Sequence, residues 1–507
     1  MPNTKRYLGR ASWVGVLMLL VGLLLAACGD NTNTSAPAAT TAAATTAASA
    51  TTAAATTAAT SATTAAATTA ASATTAAGAT TAAATTAASA TTAASATTAA
   101  AGATTAAAGG TAAAAMTPNS SISGNVRIAI APSSPEESAI VDNQLAQFAK
   151  LFPNIKVTKE TIASDYLTKI QTEIAGGNAP DIFYVDSLPA PDLISAGVLE
   201  PLDSYISKYN VDVKDFYPAL IKAYTGSDGK LYGLPKDHNP LGMFYNKDML
   251  QQAGIANPPK TWDELKTALT TLKSKMPSDG APLVADPAIE RILPFVYQAG
   301  GSMISADGKS SVVTSDAGFR QGLEFYYNLH KDGLSKKSSE VGADWPGDAL
   351  SKGKAAIVFE GGWLIPVMDK SSLKDKYGIA ELPKGTQQGD LDFTVGYVMS
   401  AKAKDKDASF ELLNYLTSAE GQKLLTDAGL ALPSRQSLVP AFTEKFPARK
   451  PLLDATAYSK AWQFGVGFGS FADKVNPSIQ GLFAGNKTVD QTLKDIDNEV
   501  KSRLNSK

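Results

Sequence analysis

Three carboxylates and two tryptophans stand where their chemistry could converge. Asp186 follows the apolar run Ile182-Phe183-Tyr184-Val185, Asp237 follows Leu234-Pro235-Lys236, and Glu360 closes an apolar run three residues before Trp363. Trp345 lies in the polar stretch Asp344-Trp345-Pro346, where an indole would ordinarily be packed, so it is a contact candidate. His238 adjoins Asp237, and Ser133 follows the run Arg127-Ile128-Ala129-Ile130. Aromatic rings stack on apolar C–H faces, while carboxylates, amides and guanidinium groups pair with hydroxyls, so this mixture suits a sugar.

The same carboxylates leave other chemistry open. Asp237 with Glu360, or Asp186 with either, would serve as the acid pair of a glycosidase, whose separation a sequence does not reveal. Several carboxylates would also suit a polyamine. A glycerol phosphate would ask for more Lys and Arg than Lys236 and Arg435. A peptide ligand, or a stalked surface adhesin, is a further alternative. Two histidines and one cysteine make no His/Cys metal cluster. There is no G-x-S-x-G, no phosphate-cradling loop and no G-x-G-x-x-G after a strand, and the glycines at 465, 467 and 469 read as a loop. Binding without cofactor or metal is therefore expected, with hydrolysis the minor alternative.

Positioning these groups falls to alternating strands and helices. Residues 127–130 and 155–158 read as strands and 181–185 as a buried strand, with helices over 136–151 and 164–175 between them. This order implies a parallel sheet with right-handed crossovers and a crevice at the strand C-termini, which places Ser133 and Asp186 at the crevice edge. Thr261-Trp262-Asp263-Glu264 is a capping box that opens a helix to about residue 273, and Thr417-Ser418-Ala419-Glu420 starts another. Trp262 is therefore structural, and Trp462, in the C-terminal helical part, reads as core. His330 shares a helix over 316–331 with Leu323 and Tyr326 and reads as a boundary histidine. Strand-like runs at 379–383 and 393–398 recur after a helical middle, so the chain crosses between two lobes more than once.

The N-terminus speaks to location. Lys5, Arg6 and Arg10 precede an apolar run that ends in Leu25-Ala26-Ala27-Cys28, the layout of a signal peptide, and Cys28 is the single cysteine. Leu, two small residues and Cys resemble the lipobox of bacterial lipoproteins, which implies lipidation of Cys28. Two acyl chains would anchor the chain stably on the extracytoplasmic face of the membrane. Residues 31–117 are almost wholly Thr and Ala, with no charge between Asp30 and Arg127. Such a segment has nothing to bury and reads as a tether, reaching on the order of 50 Å as a flexible coil. The whole chain has 45 Lys and Arg against 47 Asp and Glu, with no basic patch to suggest nucleic acid.

Four segments carry a family resemblance. Gly177-Asn178-Ala179-Pro180-Asp181-Ile182 is similar to the G-x-x-P-D segment of family 1 bacterial extracellular solute-binding proteins. The stretch from Leu231-Tyr232-Gly233-Leu234-Pro235 through Met243-Phe244-Tyr245-Asn246 to Pro259-Lys260-Thr261-Trp262 resembles another segment of that family. Gly353-Lys354-Ala355-Ala356 running to Gly362-Trp363, and the helix pair over 404–425, resemble two more. Together they resemble the maltose- and multiple-sugar-binding group. The resemblance implies a two-lobe α/β fold of the type II periplasmic-binding kind, each lobe a mostly parallel sheet flanked by helices. It implies a monomer that closes on ligand and docks on ABC permease subunits. It makes Trp363 the stacking tryptophan of the second lobe and returns Tyr397 and Arg435 to the cleft. The expected layout is signal peptide 1–27, lipidated tether 28–119, first lobe 120–236, second lobe 237–392, a return to the first lobe at 393–440, and a C-terminal part of the second lobe at 441–507.

Overall fold

Residues 116–505 are described by the computed structural model; the signal run, Cys28 and the Thr/Ala segment to residue 115 lie outside the described residues. The first-lobe sheet grows from Gly124–Ile130, whose Val126, Ile128, Ala129 and Ile130 are buried. It pairs in parallel with Ile155–Thr161 on one side and Ile182–Asp186 on the other. Val395–Met399 then inserts antiparallel between Ile182–Asp186 and Gly233–Pro235. The long apolar runs suit strands covered on both faces, and Phe148, Phe152, Tyr224, Tyr397 and Tyr415 fill the core around them.

A second sheet orders its strands as Tyr377–Ala380, Gly242–Asn246, Ala355–Glu360, Ala281–Val284 and Ser335–Lys336. Its core centres on Phe295, which meets Phe325, Tyr326 and Phe359 at ring-centroid distances of 5.3 to 5.7 Å. Helices Phe471–Phe483 and Val489–Asn505 pack on this second lobe, against Ala317–Lys331. His330 lies in the same layer, 5.1 Å from the Phe483 ring.

Between the lobes a third, small sheet gathers Leu432–Pro433, Asp237–Pro240, Asp390–Phe393 and Ser459–Ala461. The expected single strand over 393–398 is in fact two. It breaks at Thr394, whose Oγ1 donates to the Asp237 carbonyl at 2.7 Å and whose own carbonyl accepts from Ser187 N and the Tyr224 hydroxyl. One chain segment thus leaves the hinge sheet and enters the first lobe within two residues. The strand Ser459–Ala461 is a further hinge member with no strand expected there. Two helix starts also shift. Ser418, not Thr417, caps helix Ala419–Asp427, because Thr417 still belongs to the preceding helix and bonds back to the Leu413 carbonyl. Helix Tyr166–Ala175 begins two residues late, after Asp165 at φ 51°.

Candidate ligand-binding cleft

The floor of the cleft is a buried charge cluster. Helix Pro135–Leu151 starts where Ser134 accepts from Glu137 N and Pro135 fills the first turn, which sets Glu137 at a helix N-terminus that favours its charge. Glu137 accepts from Ser133 N and Oγ, both at 2.7 Å, from Lys236 Nζ at 2.8 Å and from the Tyr184 hydroxyl at 3.3 Å. Lys236 also pairs with Asp237 at 2.5 Å, and Asp237 accepts from Val395 N at 3.3 Å. Glu137, Lys236 and Asp237 are 5, 7 and 5 % exposed. Burial opposes the charge of Glu137, yet Lys236 and the Ser133 donors hold its carboxyl below the usual range. Burial wins at Asp237, helped by the like charge of Glu137, and its carboxyl is pushed up despite Lys236. Burial likewise opposes the charge of Lys236, and the two carboxylates outweigh it, so the ammonium is held above its ordinary value.

Asp186 ends its strand beside this floor, exposed in the cleft, and its carboxylate has no hydrogen-bond or ion-pair partner among the described residues. Surrounding protein and then the Asp237 charge push its carboxyl up to about 6, with Lys236 opposing. Solvent in the cleft screens part of that effect.

The facing wall is aromatic. Strand Ala355–Glu360 ends in Gly361, where a Cβ would run into the Trp363 ring, so only glycine lets the indole fold back. Trp363 Nε1 donates to Glu360 at 2.9 Å, and the same Glu360 oxygen takes Arg291 at 2.9 Å. The Arg291 guanidinium lies 5.6 Å from the Trp363 ring, and Phe393 meets Trp363 edge-on at 5.5 Å. A cavity of about 240 Å³ separates floor from wall, bordered by Ser133, Glu137, Tyr184, Asp186, Lys236 and Asp237 on one side and Asn239, Trp363 and Phe393 on the other. An ion pair between Glu136, in the first turn of helix Pro135–Leu151, and Lys370, at the end of helix Ile365–Lys370, links the two lobes.

Four of the expected contacts, Trp363, Asp186, Asp237 and Ser133, therefore share one cavity. Five do not border it. Glu360 is fully buried behind Trp363, held by Arg291. His238 is buried in the hinge sheet, with Nδ1 3.1 Å from Asp392 and its ring against Tyr217. Tyr397 lies beneath the floor, its hydroxyl 3.3 Å from that of Tyr184. Arg435 is a structural clamp: it donates to the Thr417 carbonyl at 2.6 Å, pairs with Asp215 at 3.1 Å and covers the Phe216 ring. Trp345 precedes helix Pro346–Ser351 and packs half-buried on a second-lobe cluster, because the adjacent Gly347 leaves room for its ring. Trp462 is 7 % exposed and sits in the second-lobe core. Trp262 stacks on Phe325 at 4.0 Å.

Sequence reasoning missed Glu137, Tyr184, Asn239 and Phe393. Glu137 carried a usable signal, an acid in the first turn of a helix that starts at the crevice edge. Tyr184 and Phe393 looked like ordinary strand residues, and Asn239 had no signal.

Two lobes, each with its own sheet and core, joined by a shared hinge sheet around a polar and aromatic cavity, define a two-lobe binding protein of the type II periplasmic-binding fold. The profile of the bacterial extracellular solute-binding protein family matches residues 131–423. The chain belongs to that family, and solute binding rather than catalysis is its role. It is 25 % identical over 387 residues to a putative binding protein of Brucella abortus, covering 74 % of this chain and 92 % of the relative. It is 25 % identical over 376 residues to a lactose-binding protein of Rhizobium radiobacter, covering 67 % and 84 %. Its fold matches an ABC substrate-binding protein of Listeria monocytogenes solved in complex with cycloalternan, at TM-score 0.70 and 23 % identity, covering 75 % of this chain and 99 % of that one. Among the described residues no helix is long and apolar enough to cross a membrane.

Proposed function

We propose that this chain is the substrate-binding lipoprotein of an ABC importer, capturing a sugar or short oligosaccharide between its lobes and delivering it to the permease. The observation that carries the reading is the cavity itself, with Trp363 and Phe393 facing Asp186 across a polar floor. A pyranose meets both demands, stacking its C–H face on an indole and donating hydroxyls to a carboxylate. The relatives that bind lactose and cycloalternan support it. At about 240 Å³ the cavity is below the roughly 300–1,000 Å³ of common small-molecule sites, so it suits one or two sugar units held between approximated lobes.

Capture works by hinge closure. Ligand touches groups from both lobes only when they approach, so its binding free energy favours the closed arrangement. Cys28 would anchor the chain to the extracytoplasmic face, and the Thr/Ala segment would let the lobes range toward the permease. A phosphate ligand is disfavoured because Lys236 and Arg291 are already committed to protein carboxylates. Hydrolysis is disfavoured because two of the three expected acids are engaged, Glu360 behind Trp363 with Arg291 and Asp237 with Lys236 and Val395 N. The test is a thermal-shift screen of the protein against mono- and oligosaccharides, polyamines and glycerol phosphates. Ligand that binds only the folded form raises the melting temperature. Sugars are expected to be the only class that does so; a shift by another class alone would refute the reading. Unchanged sugar recovered from the hits would separate binding from hydrolysis.

A further inference from the structure

Apart from the Asn239 amide, the side-chain hydrogen-bond donors on the cavity wall are committed to protein partners. Lys236 divides its ammonium between Glu137 and Asp237. The hydroxyls of Ser133 and Tyr184 donate to Glu137, and the indole N–H of Trp363 donates to Glu360, which also holds Arg291. The acceptors are in the opposite condition. Among the described residues the Asp186 carboxylate has no hydrogen-bond or ion-pair partner, and across the cavity Asn239 has a buried Oδ1 without one. With Glu137, Asp186 and Asp237 set against Lys236, the wall carries a net charge of two negatives.

This imbalance is tolerable while water fills the cleft. Once the lobes seal around a neutral ligand, Asp186 keeps hydroxyl donors but its charge is left buried and uncompensated, which is costly. An ammonium group supplies donors, offers no acceptor and cancels the charge. Building on the sugar-capture reading, we propose that the ligand is an amino sugar whose ammonium group pairs with Asp186, taken in preference to the neutral sugar of the same shape and against the acidic one. Burial first, and then the Asp237 charge, raise the Asp186 carboxyl, and a ligand cation would oppose both.

The experiment is titration calorimetry at pH 7 with matched sets in the gluco and galacto series, each of amino sugar, neutral sugar and uronic acid, as monomers and dimers. At low salt the amino sugar of one series is expected to bind at least about 10-fold tighter than its neutral partner, with the uronic acid weakest, and the preference to shrink in high salt. In Asp186→Asn, checked for an intact melting transition, the preference is expected to fall below about 3-fold, the amino sugar losing more affinity than its neutral partner. Neutral sugar binding as tightly as amino sugar would overturn this proposal and leave sugar capture standing. A preference untouched by Asp186→Asn would overturn the assigned contact. Binding of no sugar in any series would overturn the capture reading and this proposal together.

Discussion

Lys236→Met isolates the electrostatics of the cleft floor. The ammonium is 7 % exposed and lies 2.8 Å from Glu137 and 2.5 Å from Asp237, each 5 % exposed. Methionine keeps the straight stem and removes the charge, leaving two buried carboxylates with each other and the donors Ser133, Tyr184 and Val395 N. Breaking a buried pair from one side costs about 3–5 kcal/mol. Protonation offers an escape, and its direction can be worked out. In the native protein Glu137 sits below its ordinary value, so its contribution is present above the unfolded value and is lost as pH falls. In the variant the folded carboxylates would sit above their unfolded values, so stability would rise as pH falls through them. The deficit of the variant should therefore be about 3 kcal/mol or more at pH 7.5 and shrink to roughly 1 kcal/mol near pH 4.5. Denaturant unfolding of both proteins at the two pH values measures it. An equal deficit at both would refute the account, as would one under about 0.5 kcal/mol at pH 7.5.

Trp363→Ala should weaken sugar binding by about 1–3 kcal/mol, with Trp363→Phe recovering much of it, since the phenyl ring keeps the stacking face; equal calorimetric affinities in all three would remove Trp363 from the contact surface. Asp186→Asn should melt higher than the native protein above pH 6, with the gap closing by about pH 4. A carboxyl raised to about 6 binds its proton more readily in the folded state, so native stability rises as pH falls through that value. Because Asp186 is open to solvent the gap should be small, on the order of 1 °C, and a gap that widened at low pH would contradict the assignment. Arg435→Met should cost about 3–5 kcal/mol of stability by stranding Asp215 and the Thr417 carbonyl, yet leave sugar affinity unchanged. Lost affinity at full folding would return Arg435 to the cleft.

The first lobe was legible because residues 182–185 are a continuous apolar run, residues 155–158 alternate and Ser134 caps the first helix, and Gly124–Ile130, Ile155–Thr161 and Ile182–Asp186 lie where strands were expected. The strand-end rule also located Ser133 and Asp186 correctly beside the cavity. What escaped was determined by long-range pairing. Thr394 breaks a run that looks uniform in sequence, because its partners Asp237, Ser187 and Tyr224 are supplied by distant segments. Glu360 has the right neighbour in Trp363, yet the buried Arg291 draws it behind the ring rather than into the cleft. His238 adjoins Asp237 in sequence, but strand alternation turns it to the other face, and Tyr397 is fully buried beside its cross-strand partner Tyr184. The charge balance of the floor depends on Glu137 meeting Lys236 across 99 positions, which no local pattern encodes.

Closure on a sugar would change the separation of Glu136 and Lys370, whose ion pair links the two lobes. With Cys28 replaced by Ser, spin labels at Glu136→Cys and Lys370→Cys report the distance between the lobes by pulsed dipolar spectroscopy. The free protein should show a long or broad distribution that becomes short and narrow at saturating sugar. A distribution unmoved by every sugar that the thermal screen selects would contradict capture by closure.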